Sequence, residues 1–315
     1  MPQINANGLQ FEYETFGNPL DPALLLIMGL GGQLVQWPEE FCEALARGGY
    51  YVIRYDNRDV GLSTRLGHLG KARLASAGVL STLRLPVRSP YKLDDMAADA
   101  VGLLDALSIK SAHLVGISMG GMIGQIVAAK HPARVRSFVS IMSSSGHKNL
   151  PGPSLRIQLR MIKRPKAFDR DSLIAYSMET WRMIGSPAYP TPTDVLRAKV
   201  ERAFDRASYP QGLGRQTVAI LASGSRMRLL PKIKAPTLII HGDQDPLVPV
   251  AAAYNLARYI PGAKLEIISG MGHDMPPQLL PRLQDLILSH VNSADATPLP
   301  QSALRKPQPA RQASR

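Results

Sequence analysis

The stretch Ala112-His113-Leu114-Val115-Gly116-Ile117-Ser118-Met119-Gly120-Gly121 governs how this chain must fold. An apolar run of strand length stops at a serine with glycine two places before it and two places after it, and a helix-period segment, 120–130, follows. G-x-S-x-G between a strand and a helix marks a nucleophile elbow. The serine sits on a turn so sharp that its dihedrals are strained, and side chains two positions either side would collide with neighbouring backbone. Such a turn pushes the Ser118 hydroxyl out of the sheet. It also leaves the Met119 N–H at the positive end of a helix, where an oxyanion can be held.

A serine hydroxyl is a weak nucleophile near neutral pH, so it needs a base, and the base needs an orienting acid. On an elbow of this kind the chain order is serine, acid, histidine. Among the later histidines, His131 closes the helix after the serine, His147 begins the long insertion, and His241 precedes the acid. His290 is expected near the end of the last helix, where a cation suits the dipole. His273, in Gly270-Met271-Gly272-His273-Asp274, stands in a glycine loop just beyond a strand and is the expected base. Asp243 and Asp245 compete for the acid in Gly242-Asp243-Gln244-Asp245-Pro246. A tight turn commonly uses its first Asp on backbone N–H groups, which points to Asp245 as the acid. Asp274 is too close along the chain to reach the imidazole without strain and is expected to be solvated. The second oxyanion donor should come from Gly29-Leu30-Gly31-Gly32 after the run 23–28, with Leu30 preferred to Gly29.

Working outward, Ile4 to Phe16 with Asn7-Gly8 at its centre reads as an edge hairpin. Strands are expected at 23–28, 50–55, 112–117, 135–142, 237–240 and 265–268. Helices fall at 37–47, 93–107, 120–130, 251–259 and 279–291. This alternation implies an α/β fold with a mostly parallel, eight-stranded sheet covered on both faces. Two stretches break the rhythm. Residues 66–90 read as irregular, and 143–230 as helical pieces interrupted by prolines, inserted between two sheet strands as a cap. The core is then 1–142 with 231–292, and 293–315 is expected to be a disordered basic, Pro-rich tail.

The 315 residues, 45% of them apolar, suffice for one large core. One cysteine, Cys42, precludes an internal disulfide. The start has neither a basic segment nor an apolar run, and no stretch is long enough to span a bilayer, so a cytoplasmic protein is expected. The net charge is +13. Its excess falls on 147–230 and on the tail, with no nucleic-acid motif beside it, so it reads as a solvated basic face rather than a nucleic-acid site. No Cys/His cluster has metal-ligand spacing. The glycine loop at 29–32 is not a dinucleotide fingerprint. No cofactor is therefore expected. The polar run Arg54 to Ser63 is read as a buried Asp–Arg network. Trp37, Met119, Met122, Trp181 and Met183 are ordinary core candidates, although any of them could line an acyl pocket.

Together these residues resemble the α/β-hydrolase superfamily over 4–291. The stretches Met28-Gly29-Leu30, Trp37-Pro38-Glu39-Glu40-Phe41, Arg54-Tyr55-Asp56-Asn57-Arg58-Asp59 and Gly270-Met271-Gly272-His273 resemble bacterial ester hydrolases related to aclacinomycin methylesterase. The resemblance implies Ser118 as nucleophile, Asp245 as acid, His273 as base, and Leu30 and Met119 as oxyanion donors. Many members carry His-Gly before the oxyanion residue. This chain has Met28-Gly29, as the methylesterase group also lacks that histidine. The implied activity is hydrolysis of a small or medium carboxylic ester through an acyl-enzyme. Cofactor-free haloperoxidase or perhydrolase, lactonase and C–C hydrolase chemistry would use the same three groups. A ligand receptor that has lost turnover is a further alternative, and monomer and homodimer both remain open.

Overall fold

The structure is a computed structural model and describes residues 2–163, 167 and 169–296. It is an eight-stranded sheet in the order β1-β2-β4-β3-β5-β6-β7-β8, built from β1 (Gln3–Ala6), β2 (Leu9–Phe16), β3 (Ala23–Ile27), β4 (Tyr51–Tyr55), β5 (Ala112–Ile117), β6 (Val135–Ile141), β7 (Thr237–Gly242) and β8 (Lys264–Ile268). The β1–β2 and β2–β4 pairs are antiparallel and all the others parallel. Asn7 and Gly8 both have positive φ, 48° and 74°, as a type I′ hairpin turn requires.

Alternation along the strands divides the core into two layers. Leu25, Ile27, Ile53 and Leu114 face α3 (Leu93–Ala106), α4 (Met119–Lys130) and α9 (Ala251–Tyr259). Leu24, Leu26, Val52 and Val115 face α1 (Glu39–Arg47) and α10 (Leu280–Ala296). All five residues of β3 are buried, because a central parallel strand is covered on both faces. α1 stops where expected, with Gly48 as its C-cap and Gly49 at φ 91°.

Three expectations are corrected. Residues 66–90 are not wholly irregular, because α2 (Leu74–Thr82) forms there and packs on α8 (Pro210–Ser223). Nothing in the composition of α2 gives it a helical stripe. The last helix runs to Ala296, beyond the expected start of the tail at 293. Its end is held by the body: Tyr50 Oη donates to Asn292 Oδ1 at 2.6 Å, and Arg136 Nη2 to Asp295 Oδ1 at 2.6 Å. The remainder of the expected tail, 297–315, lies outside the described residues. His290 consequently lies inside the helix, 6% exposed, with Nε2 donating to Pro236 O at 3.1 Å. Burial lowers its pKa, so it is not the dipole-stabilised cation expected.

The segment between β6 and β7 holds α5 (Leu155–Ile162), α6 (Arg170–Ile184), α7 (Thr193–Arg206) and α8. α6 and α7 share a small core of Ile174, Met178, Leu196 and Val200. Among the described residues, no helix is long and apolar enough to cross a membrane.

Candidate active site

Three parallel strands deliver the candidate residues to one rim. Ser118 follows β5, Asp245 lies in the loop after β7, and His273 in the loop after β8. In an open α/β sheet, ligands bind outside the carboxyl ends of the strands. Ser118 is the N-cap of α4 at φ 53°, ψ −115°, a conformation that only an over-determined turn sustains. The flanking glycines show why. A Cβ on Gly116 would stand 2.4 Å from Gly120 O, and one on Gly120 would stand 2.0 Å from Ile27 O. Ser118 N–H donates to Ile141 O at 2.9 Å, and Ser143 Oγ to Ser118 O at 2.7 Å, which secures the turn from the β6 side.

His273 Nε2 is 3.0 Å from Ser118 Oγ, and His273 Nδ1 is 2.6 Å from Asp245 Oδ2. An ionised carboxylate can only accept, so Nδ1 carries the proton and Nε2 of the neutral ring accepts from the serine hydroxyl. Asp245 is 5% exposed. Its other oxygen accepts from Leu247 N–H at 2.9 Å and Val248 N–H at 2.7 Å, which orients the carboxylate and satisfies it. Asp243 does not reach the imidazole. It accepts from Gly270 N–H at 2.7 Å and Ser269 Oγ at 3.0 Å, and so ties its own loop to the one that carries His273. Both aspartates accept backbone N–H groups, but Asp245 alone has an oxygen free for the ring.

His241 stands behind the pair. Its Nε2 donates to Val248 O at 2.7 Å and lies 3.5 Å from Asp245 Oδ2. Burial lowers its pKa, which keeps it neutral beside the acid. Asp274 departs from its expected solvation: it is 9% exposed and accepts from Ser186 Oγ at 2.5 Å. Ser186 Oγ in turn accepts from Gly272 N–H at 2.9 Å, so this side chain braces the histidine loop. Burial raises the pKa of Asp274. The backbone of His273 donates to Ile184 O at the end of α6, at 2.7 Å.

The glycine loop closes the opposite side of Ser118. A Cβ on Gly29 would stand 3.2 Å from Ser118 Cβ, so Leu30 follows directly on a backbone that passes beside the serine. Met119 N–H belongs to the first turn of α4, where amides have no intrahelical acceptor. Among the described residues neither Leu30 N–H nor Met119 N–H donates to a protein acceptor. The loop is pinned from several directions. Gly31 N–H donates to Gln216 Oε1 at 2.8 Å, Leu34 N–H to Asp56 Oδ1 at 2.7 Å, and Asn57 Nδ2 to Met28 O at 3.0 Å. Gln216 Nε2 also donates to Arg58 O at 2.7 Å, which joins α8 to two core loops.

The run Arg54 to Ser63 is the framework of this arrangement. Arg215 and Asp59, both fully buried, pair at 2.8 Å. Arg58 pairs with Asp99 at 2.5 Å, and Arg206 with Asp56 at 2.7 Å. Arg54 is held by Glu14 and by Trp37 O. Trp37 and Met119 are fully buried and Met122 nearly so, while Trp181 and Met183 on α6 are half-buried. Gln216 and Ser186 were not legible as site residues, because an isolated glutamine or serine between helices carries no motif.

Comparison with known proteins fits this geometry. Residues 22–277 match the family described as alpha/beta hydrolase fold. The chain is 30% identical to rhodomycin D methylesterase of Streptomyces peucetius, over 89% of this chain and 94% of that protein. It is 26% identical to 3-oxoadipate enol-lactonase 2 of Acinetobacter baylyi, over 92% and 97%. Among solved structures, a meta-cleavage product hydrolase from Pseudomonas fluorescens superposes with a TM-score of 0.73 at 21% identity, covering 93% of this chain and 98% of that one. The chain belongs to the α/β-hydrolase fold family and is an enzyme of its hydrolytic class. The methylesterase similarity also bears out the resemblance to the bacterial methylesterase group.

Proposed function

We propose that this chain hydrolyses a carboxylic ester by two-step acyl transfer, with Ser118 as nucleophile, His273 as general base and then general acid, and Asp245 as the orienting acid. The observation that carries this reading is the continuous relay from Ser118 Oγ to His273 Nε2 and from Nδ1 to Asp245 Oδ2, at 3.0 and 2.6 Å. Ser118 attacks the ester carbonyl as its proton passes to Nε2, and the Leu30 and Met119 N–H groups hold the oxyanion. The imidazolium then protonates the departing alcohol. Water, deprotonated by the same nitrogen, releases the acid and restores the serine. Each oxyanion donor contributes on the order of 3 kcal/mol to the transition state.

The segment 143–230 acts as a cap whose helices close over the serine. In support, α6 touches the histidine loop through Ile184 O, and α8 touches the oxyanion loop through Gln216. The methylesterase relative supports an ester with a small alcohol as the substrate class. A lactone is an internal ester open to the same steps, and the enol-lactonase relative keeps it in the substrate panel.

The test is turnover of a p-nitrophenyl acyl series and of methyl esters by the wild type and by Ser118→Ala. The expected result is measurable hydrolysis by the wild type and a loss of at least about a thousandfold in the variant. Undiminished turnover in Ser118→Ala overturns the assignment.

A further inference from the structure

The connection between β4 and α3 carries a surface that the reaction does not use. From Leu74 to Leu83 no residue is charged, and within α2 Ala77 alone is buried. Leu74, Val79, Leu83 and Leu85 are 48%, 59%, 62% and 50% exposed. A helix that carries no charge on any side and exposes leucine and valine presents apolar surface for a partner, and among the described residues no core encloses this one.

The charges around it have one sign. Lys71 and Arg73 precede the helix, and Arg84 and Arg88 follow it. All four are exposed, and none has an ion-pair partner among the described residues. Residues 60–93 contain six Lys or Arg and no Asp or Glu, and residues 206–242, which include the underlying α8, contain no Asp or Glu either. Within these two stretches the patch has no acidic complement.

We propose that α2 and its flanks form a docking surface for an anionic phospholipid bilayer. The helix lies in the interface plane, with its leucines and valine at the acyl boundary and the four cations among the lipid phosphates. Nucleic acid would engage the cations but gain nothing from the exposed leucines. A second copy of this chain would set like charges against each other across the two-fold axis.

The position of the surface gives docking a consequence. α2 rests on α8, where a Cβ on Gly214 would fall 3.9 Å from Leu74 Cδ1. α8 rests on the glycine loop, where a Cβ on Gly31 would fall 2.7 Å from Leu213 Cδ1. Docking thus brings the bilayer to the side of the fold that carries Ser118, where lipid-dissolved substrate would be concentrated. The docking surface stands whether or not the proposed ester chemistry does.

The test is co-sedimentation of the full chain with vesicles of equal parts phosphatidylglycerol and phosphatidylcholine, and with phosphatidylcholine alone. Partition onto the anionic vesicles, weakened by salt, is expected. Val79→Asp should lower it about tenfold or more. Arg73→Gln and Arg84→Gln should each lower it about fivefold. The melting temperature should stay unchanged in all three. Equal binding to both vesicle types, or full binding by Val79→Asp, overturns the proposal. So does loss of binding only when Arg305, Lys306, Arg311 and Arg315 become Gln, which would place the contact on the last residues of the chain. A Val79→Asp variant that shifts from dimer to monomer without lipid makes the patch a self-interface, and capture by a DNA duplex without vesicle binding makes it a nucleic-acid surface. Either result rejects lipid docking.

Discussion

Replacing Asp245 by Asn tests the site with a change of one atom. Asp245 Oδ1 receives two backbone N–H groups, from Leu247 and Val248, at 2.9 and 2.7 Å. An amide NH2 in that position would confront two donors and leave them without an acceptor in a buried turn. The substituted side chain must therefore keep its oxygen there and place NH2 where Oδ2 now accepts from His273 Nδ1 at 2.6 Å. The NH2 group can only donate, so Nδ1 becomes the acceptor and the ring proton moves to Nε2. The nitrogen facing Ser118 Oγ then carries a hydrogen and cannot take another. The expected loss in kcat is about 10⁴-fold, equivalent to about 5.4 kcal/mol of transition-state stabilisation. The fold should lose only about 1–2 kcal/mol, because the bonds are weakened rather than orphaned. Asp243→Asn is the control: its amide oxygen still accepts from Gly270 N–H, so kcat should fall about tenfold or less. The assay is kcat and KM on p-nitrophenyl butyrate beside thermal melts. Activity of Asp245→Asn within tenfold of wild type, or a larger loss in Asp243→Asn, would refute the tautomer switch.

Three further outcomes are expected. Gln216→Leu leaves Gly31 N–H and Arg58 O without their partner, so stability should drop by about 2–3 kcal/mol and kcat by about tenfold as the glycine loop beside Ser118 relaxes. Denaturant titration and steady-state kinetics check this, and an unchanged kcat would remove Gln216 from the account. His113, fully buried against Ser137 and Tyr50, has its pKa lowered from 6.5 to about 4, chiefly by burial. Between those two values the unfolded chain binds the proton more readily than the folded one. The resulting stability is complete above pH 6.5 and is lost as the pH falls towards 4. It amounts to on the order of 3 kcal/mol. His113→Gln should flatten that part of the stability–pH curve, and parallel curves for the two proteins would refute the assignment. A chain ending at Asn292 should be about 1–2 kcal/mol less stable than one ending at Ala296, because Asp295 is then missing from Arg136 and His113. Matching melts would show that the last turn of α10 contributes nothing.

Much of the candidate site is legible because the steric pattern around Ser118 is local. The glycines at 116 and 120 answer to backbone only a few residues away in the chain or on the next strand, so their need follows from steric rules alone. His273 and the Asp243/Asp245 loop could be placed because each directly follows an apolar strand of a parallel sheet, and such strands end on one rim. Asp245 itself was a preference between two similar residues. The geometry of one turn separates them: Asp243 spends both oxygens on the neighbouring loop, while Asp245 keeps one for the ring.

The features that differ from the sequence expectations depend on residues far off in the chain. Asp274 is buried because Ser186, 88 residues before it, arrives to donate to it. His290 loses its terminal position because Tyr50 and Arg136 hold the helix on to Ala296. α2 has no amphipathic period, so no pattern marks it as a helix until α8 supplies a surface beneath it.

From residue order alone come the alternation of strands and helices, the strained serine turn, and the identity of the groups able to pass a proton. Those are set by side-chain period, backbone sterics and acid–base type, which act over a few positions. The folded chain decides which oxygen faces which nitrogen, and which glutamine steadies the glycine loop from 185 residues away. It also decides which apolar helix is left uncovered. Such choices depend on distances of a few ångströms between segments remote in sequence, and only packing sets those distances.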